Sequence, residues 1–247
     1  MILLVDIGNS RIKWECWEGG RLSAEGSSLR PSQGLNEAFE TMWMDLAPRR
    51  VVVSNVAGEE VAARLTSWCG ERWTVIPQFV RTQAAGYGVR NGYEDYRQLG
   101  VDRWLALIAA WRRCQDSACV VDCGTAVTLD ALSPSGDHLG GMIMPGLVLM
   151  RNSLLRHTEG IRTQDKGRVT PLACNTRDGV TAGSAYAVAG GVDRFVFELK
   201  ARLDEVRCII TGGDAECLLP FLTNRFESIR NLVLQGLAIV AGDKEVP

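Results

Sequence analysis

Histidine is nearly missing: only His138 and His157 occur in 247 residues, and none of the eight cysteines stands in a Cys-x-x-Cys spacing. That pattern excludes a zinc or disulfide framework and leaves the cysteines as reduced thiols that fill apolar space. An excess of one charge is also lacking. With 27 Lys and Arg against 29 Asp and Glu, the net charge is −2, so the chain has no basic stripe for a nucleic acid, nor a helix-turn-helix pattern. No Gly-Lys-Ser/Thr sequence opens a helix, so a Walker A loop is excluded. Long apolar runs are absent as well: the uncharged stretch 139–150 is too short for a membrane span and carries Pro145 and glycines. The N-terminus has no basic region before its apolar run and places Asp6 inside that run, unlike a signal peptide. A cytoplasmic protein is expected, with neither nucleic acid nor membrane as partner.

What the chain does have is one short phrase, spoken twice. Residues 2–10 run an apolar strand into Asp6-Ile-Gly8-Asn9-Ser10, and residues 119–126 run another into Asp122-Cys-Gly124-Thr125-Ala126. Each apolar run is short and bounded, as a buried strand is, and each Asp falls where its strand leaves the core. Glycine two residues later permits a tight reversal and a close approach of backbone N–H groups to a ligand. A second strand follows each turn, which makes it a hairpin. Backbone and hydroxyl donors at Asn9, Ser10 and Thr125, a cation at Lys13, and carboxylates able to hold Mg²⁺ through water point to phosphate chemistry. One Asp-x-Gly turn alone reads as an ordinary hairpin. A pair, each heading its own half, points to two similar halves that share one anionic ligand.

Hydrophobic residues make up 46% of the chain, enough for one large or two medium domains. Periodicity predicts strands at 2–5, 12–17 and 22–27, a helix at 33–45, a strand at 51–56, a helix at 59–69 and a strand at 73–77. A loop over 81–97 and an apolar helix over 101–113 complete the first half. The second half repeats the opening with strands at 118–121, 126–132 and 138–144. Helices at 145–155 and 175–202 follow, with a polar link over 158–173 between them. A strand at 206–211, a short helix near 215–221 and a last helix at 231–241 end the chain. The division is drawn at 1–116 and 117–247, with a cleft expected between tightly packed halves. The order βββαβα, stated twice, resembles the α/β ribonuclease H-like fold of actin, sugar kinases and heat-shock ATPases, in which two such hairpins clasp ATP.

Other clusters each allow two readings. Asp102, in Gly100-Val101-Asp102-Arg103, either caps the helix it opens or accepts the proton of a substrate hydroxyl attacking a phosphate. Arg103 is either a solvated surface residue or the partner of an anionic group. In the run from Gly140 to Gly146, glycines either punctuate a strand-to-helix turn or let backbone approach substrate or the facing hairpin. Thr211-Gly212-Gly213-Asp214 resembles the adenosine turn of that superfamily, with Asp214 also able to cap a helix. Gly183, Gly190 and Gly191 would let another helix come close, as in a dimer.

In order along the chain, Asp6-x-Gly-Asn-Ser-x-x-Lys13, Gly100-Val-Asp-Arg103, Asp122-x-Gly-Thr-Ala126, Gly140-Gly-x-Ile-x-Pro-Gly146, Asn175-Thr176 and Thr211-Gly-Gly-Asp214 resemble the motifs of the type III pantothenate kinases. The resemblance spans essentially the whole chain. It implies ATP-dependent phosphorylation of pantothenate, the opening step of coenzyme A synthesis, by a homodimer. It further implies that residues 6–13 form the first ATP phosphate loop with Asp6 near Mg²⁺, and that Gly124 and Thr125 form its counterpart, with Gly212 and Gly213 at the adenosine. Asp102 would be the proton acceptor, and Tyr93, Gly100, Val101, Asp102 and Arg103 the pantothenate pocket. Asp122 would hold the monovalent cation the family requires, K⁺ or NH₄⁺. Thr176 would be a pantothenate contact supplied by the neighbouring subunit. Ser10 stands where many relatives have threonine, and keeps the hydroxyl. Two rival readings are a sugar or acetate kinase of the same superfamily and an accessory regulator of gene expression.

Overall fold

Residues 1–162 and 166–242 are described by the structure, a computed structural model. Residues 163–165, inside the expected polar link, and 243–247, at the end of the second expected division, lie outside the described residues. One unit is formed by Met1–Arg113 together with the chain from Asn231, the other by Cys114–Arg230.

In the first unit the chain passes through β1 (Ile2–Ile7), β2 (Arg11–Glu18), β3 (Arg21–Leu29), α1 (Leu35–Trp43), β4 (Arg50–Asn55), α2 (Glu59–Trp73) and β5 (Gln78–Phe79). The small ribbon β6 (Ala85–Gly86) and β7 (Val89–Arg90), one 3-10 turn at Tyr96–Gln98, and α3 (Val101–Cys114) follow. The sheet runs β3-β2-β1-β4-β5, with β1 antiparallel to β2 and parallel to β4. β1 is central because its unbroken apolar run is buried from Ile2 to Val5, as a strand covered on both faces must be. In α1 the buried residues Leu35, Phe39 and Trp43 recur every four positions, one helical stripe facing the core.

No strand forms over 73–77: Trp73 is the last residue of α2, residues 74–77 are irregular, and the fifth strand begins at Gln78. Trp73 explains the shift: its indole N–H donates to the Leu46 carbonyl at 2.8 Å, and its ring meets Trp68 edge-on at 4.8 Å. With Phe39 stacked on Trp43 at 5.3 Å, these rings form an aromatic wedge under the sheet. Burial of so much ring surface outweighs the β-propensity of the local sequence.

The second unit contains β8 (Ala118–Cys123), β9 (Ala126–Leu132), β10 (His138–Pro145), α4 (Leu147–His157), α5 (Thr176–Lys200), β11 (Arg207–Thr211), α6 (Ala215–Leu218) and β12 (Glu227–Ser228). Its sheet order, β10-β9-β8-β11-β12, repeats the first sheet strand for strand, with β8 antiparallel to β9 and parallel to β11. This is the α/β layout expected of a duplicated ribonuclease H-like fold. Two residues of β12 went unforeseen, because so short an edge strand has no alternation to read. α4 starts at Leu147 rather than 145, since Pro145 still pairs with Ala126 in the ladder.

The last helix, α7 (Leu232–Ala241), falls with the first unit, although the sequence division grouped it with the second half. Its sequence is almost wholly apolar, so it must find cover. It packs on β1 and β4, with the Asn231 amide donating to Glu15 Oε1 at 3.0 Å and Arg50 Nη1 donating to the Ala241 carbonyl at 2.9 Å. Burial raises the Glu15 pKa, an effect that the bonds from Asn231 and Trp17 only partly offset.

Candidate active site

In the first hairpin Asp6 is the last carboxylate before β1 ends. Its ladder partners are Lys13 across the antiparallel side and Ser54 across the parallel side. Ser54, fully buried, donates its hydroxyl to Asp6 Oδ1 at 2.9 Å, which fixes the carboxylate's rotamer. The Gly8 N–H closes the turn on the Arg11 carbonyl at 2.9 Å, and Asn9 and Ser10 are exposed at the tip. Arg30, just past β3, holds the tip from one side through three bonds: its backbone N–H to the Ser10 carbonyl at 2.9 Å, and Nε and Nη2 to the Asn9 carbonyl at 3.0 and 2.8 Å.

The second hairpin repeats this plan. Asp122, the one residue of β8 that is not buried, pairs with Thr128 and, on the parallel side, with buried Thr211, a hydroxyl residue in the place of Ser54. Gly124 N–H bonds the Ala126 carbonyl at 3.0 Å, leaving Thr125 exposed at the tip. Two other motifs converge here. Gly146 N–H donates to the Thr125 carbonyl at 2.9 Å, and Asp214 N–H to the Cys123 carbonyl at 3.0 Å. A Cβ on Gly146 would overlap the Gly124 and Thr125 carbonyl oxygens, so this glycine serves the hairpin of its own unit. Gly212, at φ +98, would place a Cβ within 2.5 Å of the Cys123 backbone. Asp214 makes no side-chain capping bond to α6; its backbone, not its carboxylate, ties the turn.

Asp102 and Arg103 sit in the first unit, at the start of α3. Asp102 Oδ1 accepts the Arg103 N–H at 2.8 Å, and the carboxylate lies so close over Gly100 that a Cβ there would come within 2.5 Å of it. The carboxylate thus does meet a donor of the first helical turn, as the capping reading expected. Arg103 is not a surface residue: it is 5% exposed, and Nη1 donates to the Tyr93 hydroxyl at 2.8 Å with the guanidinium 5.6 Å from that ring. The loop that presents Tyr93 is ordered by its own polar groups. The Asn91 side chain accepts the Tyr93 N–H at 3.0 Å, and the Thr82 hydroxyl donates to the Leu99 carbonyl at 2.8 Å. A buried guanidinium and a phenol are therefore bonded to each other, and the Asp102 carboxylate stands one residue away at the start of the same helix.

Thr176 lies exposed at the first turn of α5, in the second unit. Asn175 caps this helix by accepting the Asp178 N–H at 2.9 Å. The buried Asp178 carboxylate is held below the usual carboxylate range, chiefly by the Arg168 N–H and then by the Asn175 amide. It therefore stays ionised well into mild acid and anchors the returning segment.

Among the described residues no three His, Cys, Asp or Glu side chains gather to hold a metal. Asp6 and Asp122 offer what Mg²⁺ or a monovalent cation accepts beside substrate phosphates, namely hard oxygen ligands and one or two carboxylates. Cys16, Cys69, Cys119, Cys123 and Cys208 are buried free thiols, and burial pushes Cys69 up to about 12, so they act as core hydrophobes. Cys174 and Cys217 are exposed.

The sequence pattern of type III pantothenate kinases matches residues 2–198. A type III pantothenate kinase from Nitrosococcus oceani is 41% identical over 98% of this chain and 94% of its own length. The chain belongs to the type III pantothenate kinase family. Among solved structures, a candidate Baf-family transcriptional activator from Campylobacter jejuni superposes at a TM-score of 0.61, with 20% identity and 97% of each chain covered. A candidate 2-dehydro-3-deoxygalactonokinase from Sinorhizobium meliloti reaches 0.59, with 14% identity and 98% of each chain covered. Both likenesses show the fold alone. The residues read from sequence fall in and beside two hairpins, at Tyr93 in the loop before α3, at the starts of α3 and α5, and, for Gly212 and Gly213, in the turn after β11. Ser54 and Arg30 were missed. Ser54 had a faint signal, a polar residue inside an apolar strand, and Arg30 had none.

Proposed function

We propose that this chain moves the γ-phosphoryl group of ATP to the primary hydroxyl of pantothenate, with Asp102 taking the hydroxyl proton. ATP-dependent phosphorylation of pantothenate, with Mg²⁺, is the activity of the family to which the chain belongs. The observation that carries the residue roles is the buried Arg103, bonded to Tyr93 and adjacent to Asp102. Pantothenate has a carboxylate for the guanidinium and phenol, and a hydroxyl for the carboxylate. Asp102 draws the proton as the oxygen attacks in line; no covalent enzyme intermediate is needed, and catalysis is positioning with charge neutralisation.

The hairpin at Gly8, Asn9 and Ser10, with Lys13 beside Asp6, would bind phosphate through backbone donors and charge, as would Gly124 and Thr125 in the second unit. Gly212 and Gly213 would lie along the adenosine. Asp6 would hold Mg²⁺, which would supply neutralisation of the charge that develops on the phosphate. Asp122, with hydroxyl oxygens close by in the ladder, would hold K⁺ or NH₄⁺. A steady-state assay with pantothenate, ATP, Mg²⁺ and K⁺ should yield phosphopantothenate, and no product would sink the reading. Replacing K⁺ by Na⁺ should lower the rate severalfold, on the scale of a lost charge-neutralising ligand; equal rates in the two salts would remove Asp122 from this role.

A cytoplasmic homodimer is the accompanying proposal. Among the described residues no helix is long and apolar enough to cross a membrane. Ile143 on the edge strand β10 is 63% exposed, Val148 on α4 50% and Phe197 on α5 63%, and Gly183 and Gly190 have open space above them. A second copy covering these residues would suit their apolar surface, and Thr176 would then be a contact with the partner's pantothenate. A monomer by sedimentation at working concentration would remove it.

A further inference from the structure

The two hairpins are one device built to two lengths. In the second, a single residue, Thr125, separates Gly124 from Ala126, whose N–H and carbonyl bond each other. In the first, Asn9 and Ser10 separate the bonded pair Gly8 and Arg11. In both, the residue immediately after the third strand of the sheet donates its backbone N–H to the last carbonyl of the tip: Gly146 to Thr125, and Arg30 to Ser10, each at 2.9 Å. The two positions are therefore equivalent, yet one is glycine and the other arginine. The shorter tip leaves no room for a side chain at Gly146. The longer tip has one more carbonyl, that of Asn9, and the guanidinium of Arg30 takes it with two N–H groups at 3.0 and 2.8 Å.

A trans peptide points its C=O and N–H in opposite directions. Holding the Asn9 carbonyl on the Arg30 side therefore turns the Ser10 N–H to the opposite face of the hairpin as a fixed donor. Asn9 and Ser10 are exposed. Without the grip, their shared peptide plane could rotate and present a carbonyl lone pair, which repels an anion. We propose that Arg30 is a positioning residue for the phosphates of ATP: it locks the Asn9–Ser10 peptide in the donor-outward orientation. This rests on the hairpin's reading as a phosphate loop. Its guanidinium also offsets the partial negative charge of the carbonyls it binds, so the loop is more electropositive than its own backbone allows.

The test compares wild type, Arg30→Ala and Arg30→Lys by calorimetric binding of ATP and AMP, with KM for ATP and pantothenate and the melting temperature alongside. Loss of a charged, forked hydrogen bond should weaken ATP binding about tenfold in Arg30→Ala. AMP, which lacks the β- and γ-phosphates, should bind as before, and KM for pantothenate and the melting temperature should not move. Arg30→Lys keeps the charge without the fork and should fall between the two. Unchanged ATP affinity in Arg30→Ala would overturn the proposal, as would AMP losing as much as ATP. If the alanine variant does not fold, wild-type ATP affinity in Arg30→Lys overturns it alone. A chain whose ATP affinity depends on Arg30 but which leaves pantothenate unphosphorylated would sink the functional reading and keep this one; the converse result would do the reverse.

Discussion

Asp102→Asn should cut kcat with pantothenate by about a hundredfold to ten-thousandfold, the span of a lost general base, and leave ATP affinity and the melting temperature close to wild type. The argument rests on what asparagine keeps. Asp102 Oδ1 accepts the Arg103 N–H at 2.8 Å, and the side chain fits the narrow space over Gly100. An amide oxygen accepts the same hydrogen bond and has almost the same shape, so the first turn of α3 and the Arg103–Tyr93 pair stay in place. What asparagine lacks is a site for a proton. A drop in kcat with little change in KM for either substrate is the signature of an interaction made chiefly in the transition state. Near-normal turnover would show that Asp102 is only the helix-terminal acceptor and that the proton leaves by another path. A rise in KM for pantothenate with kcat preserved would make it a binding residue.

The duplicated plan was legible because it rests on strong local signals. Two buried strands that each end in Asp-x-Gly are visible as runs and breaks, and the mirrored sheet orders follow from them. Asp102 stood out for a similar reason, as a carboxylate at the mouth of an apolar helix. What escaped was set by contacts distant in sequence. The helical fate of residues up to Trp73 depends, beyond its neighbour Trp68, on the ring of Trp43 and a bond to Leu46, which no window around Trp73 contains. The allegiance of α7 depends on Glu15 and Arg50, far back in the chain. Arg103 allows both a surface reading and that of an anion's partner until Tyr93, ten residues earlier, is seen to accept its hydrogen bond. Arg30 reads as nothing at all until the two hairpins are laid side by side. Its meaning lies in a carbonyl that one tip has and the other lacks.

The same comparison predicts where a methyl group does most harm. Gly212→Ala should lower ATP affinity by more than a hundredfold, about 3 kcal/mol or more, because two costs add at one position. The backbone there has φ +98, a conformation in which L residues with a Cβ are strained by about 1–2 kcal/mol. The new Cβ would also press to 2.5 Å or less from the carbonyl carbon, nitrogen and oxygen of Cys123, which are backbone atoms of the second hairpin and cannot swing aside. Overpacking of this kind typically costs about 1–3 kcal/mol. Relief requires the turn after β11 to move away from β8, and that motion breaks the Asp214 N–H bond to the Cys123 carbonyl. Asp122 and Gly124 flank Cys123, so the displacement reaches the proposed cation and phosphate ligands together. Gly213→Ala, one residue on, meets no atom within 4 Å and should behave as wild type in the melting temperature. Calorimetric ATP titration of wild type and Gly212→Ala, with melting curves to confirm that both are folded, separates the outcomes. Wild-type ATP affinity in Gly212→Ala would mean that the turn after β11 does not support the phosphate hairpin, and that the glycine is there for backbone geometry alone.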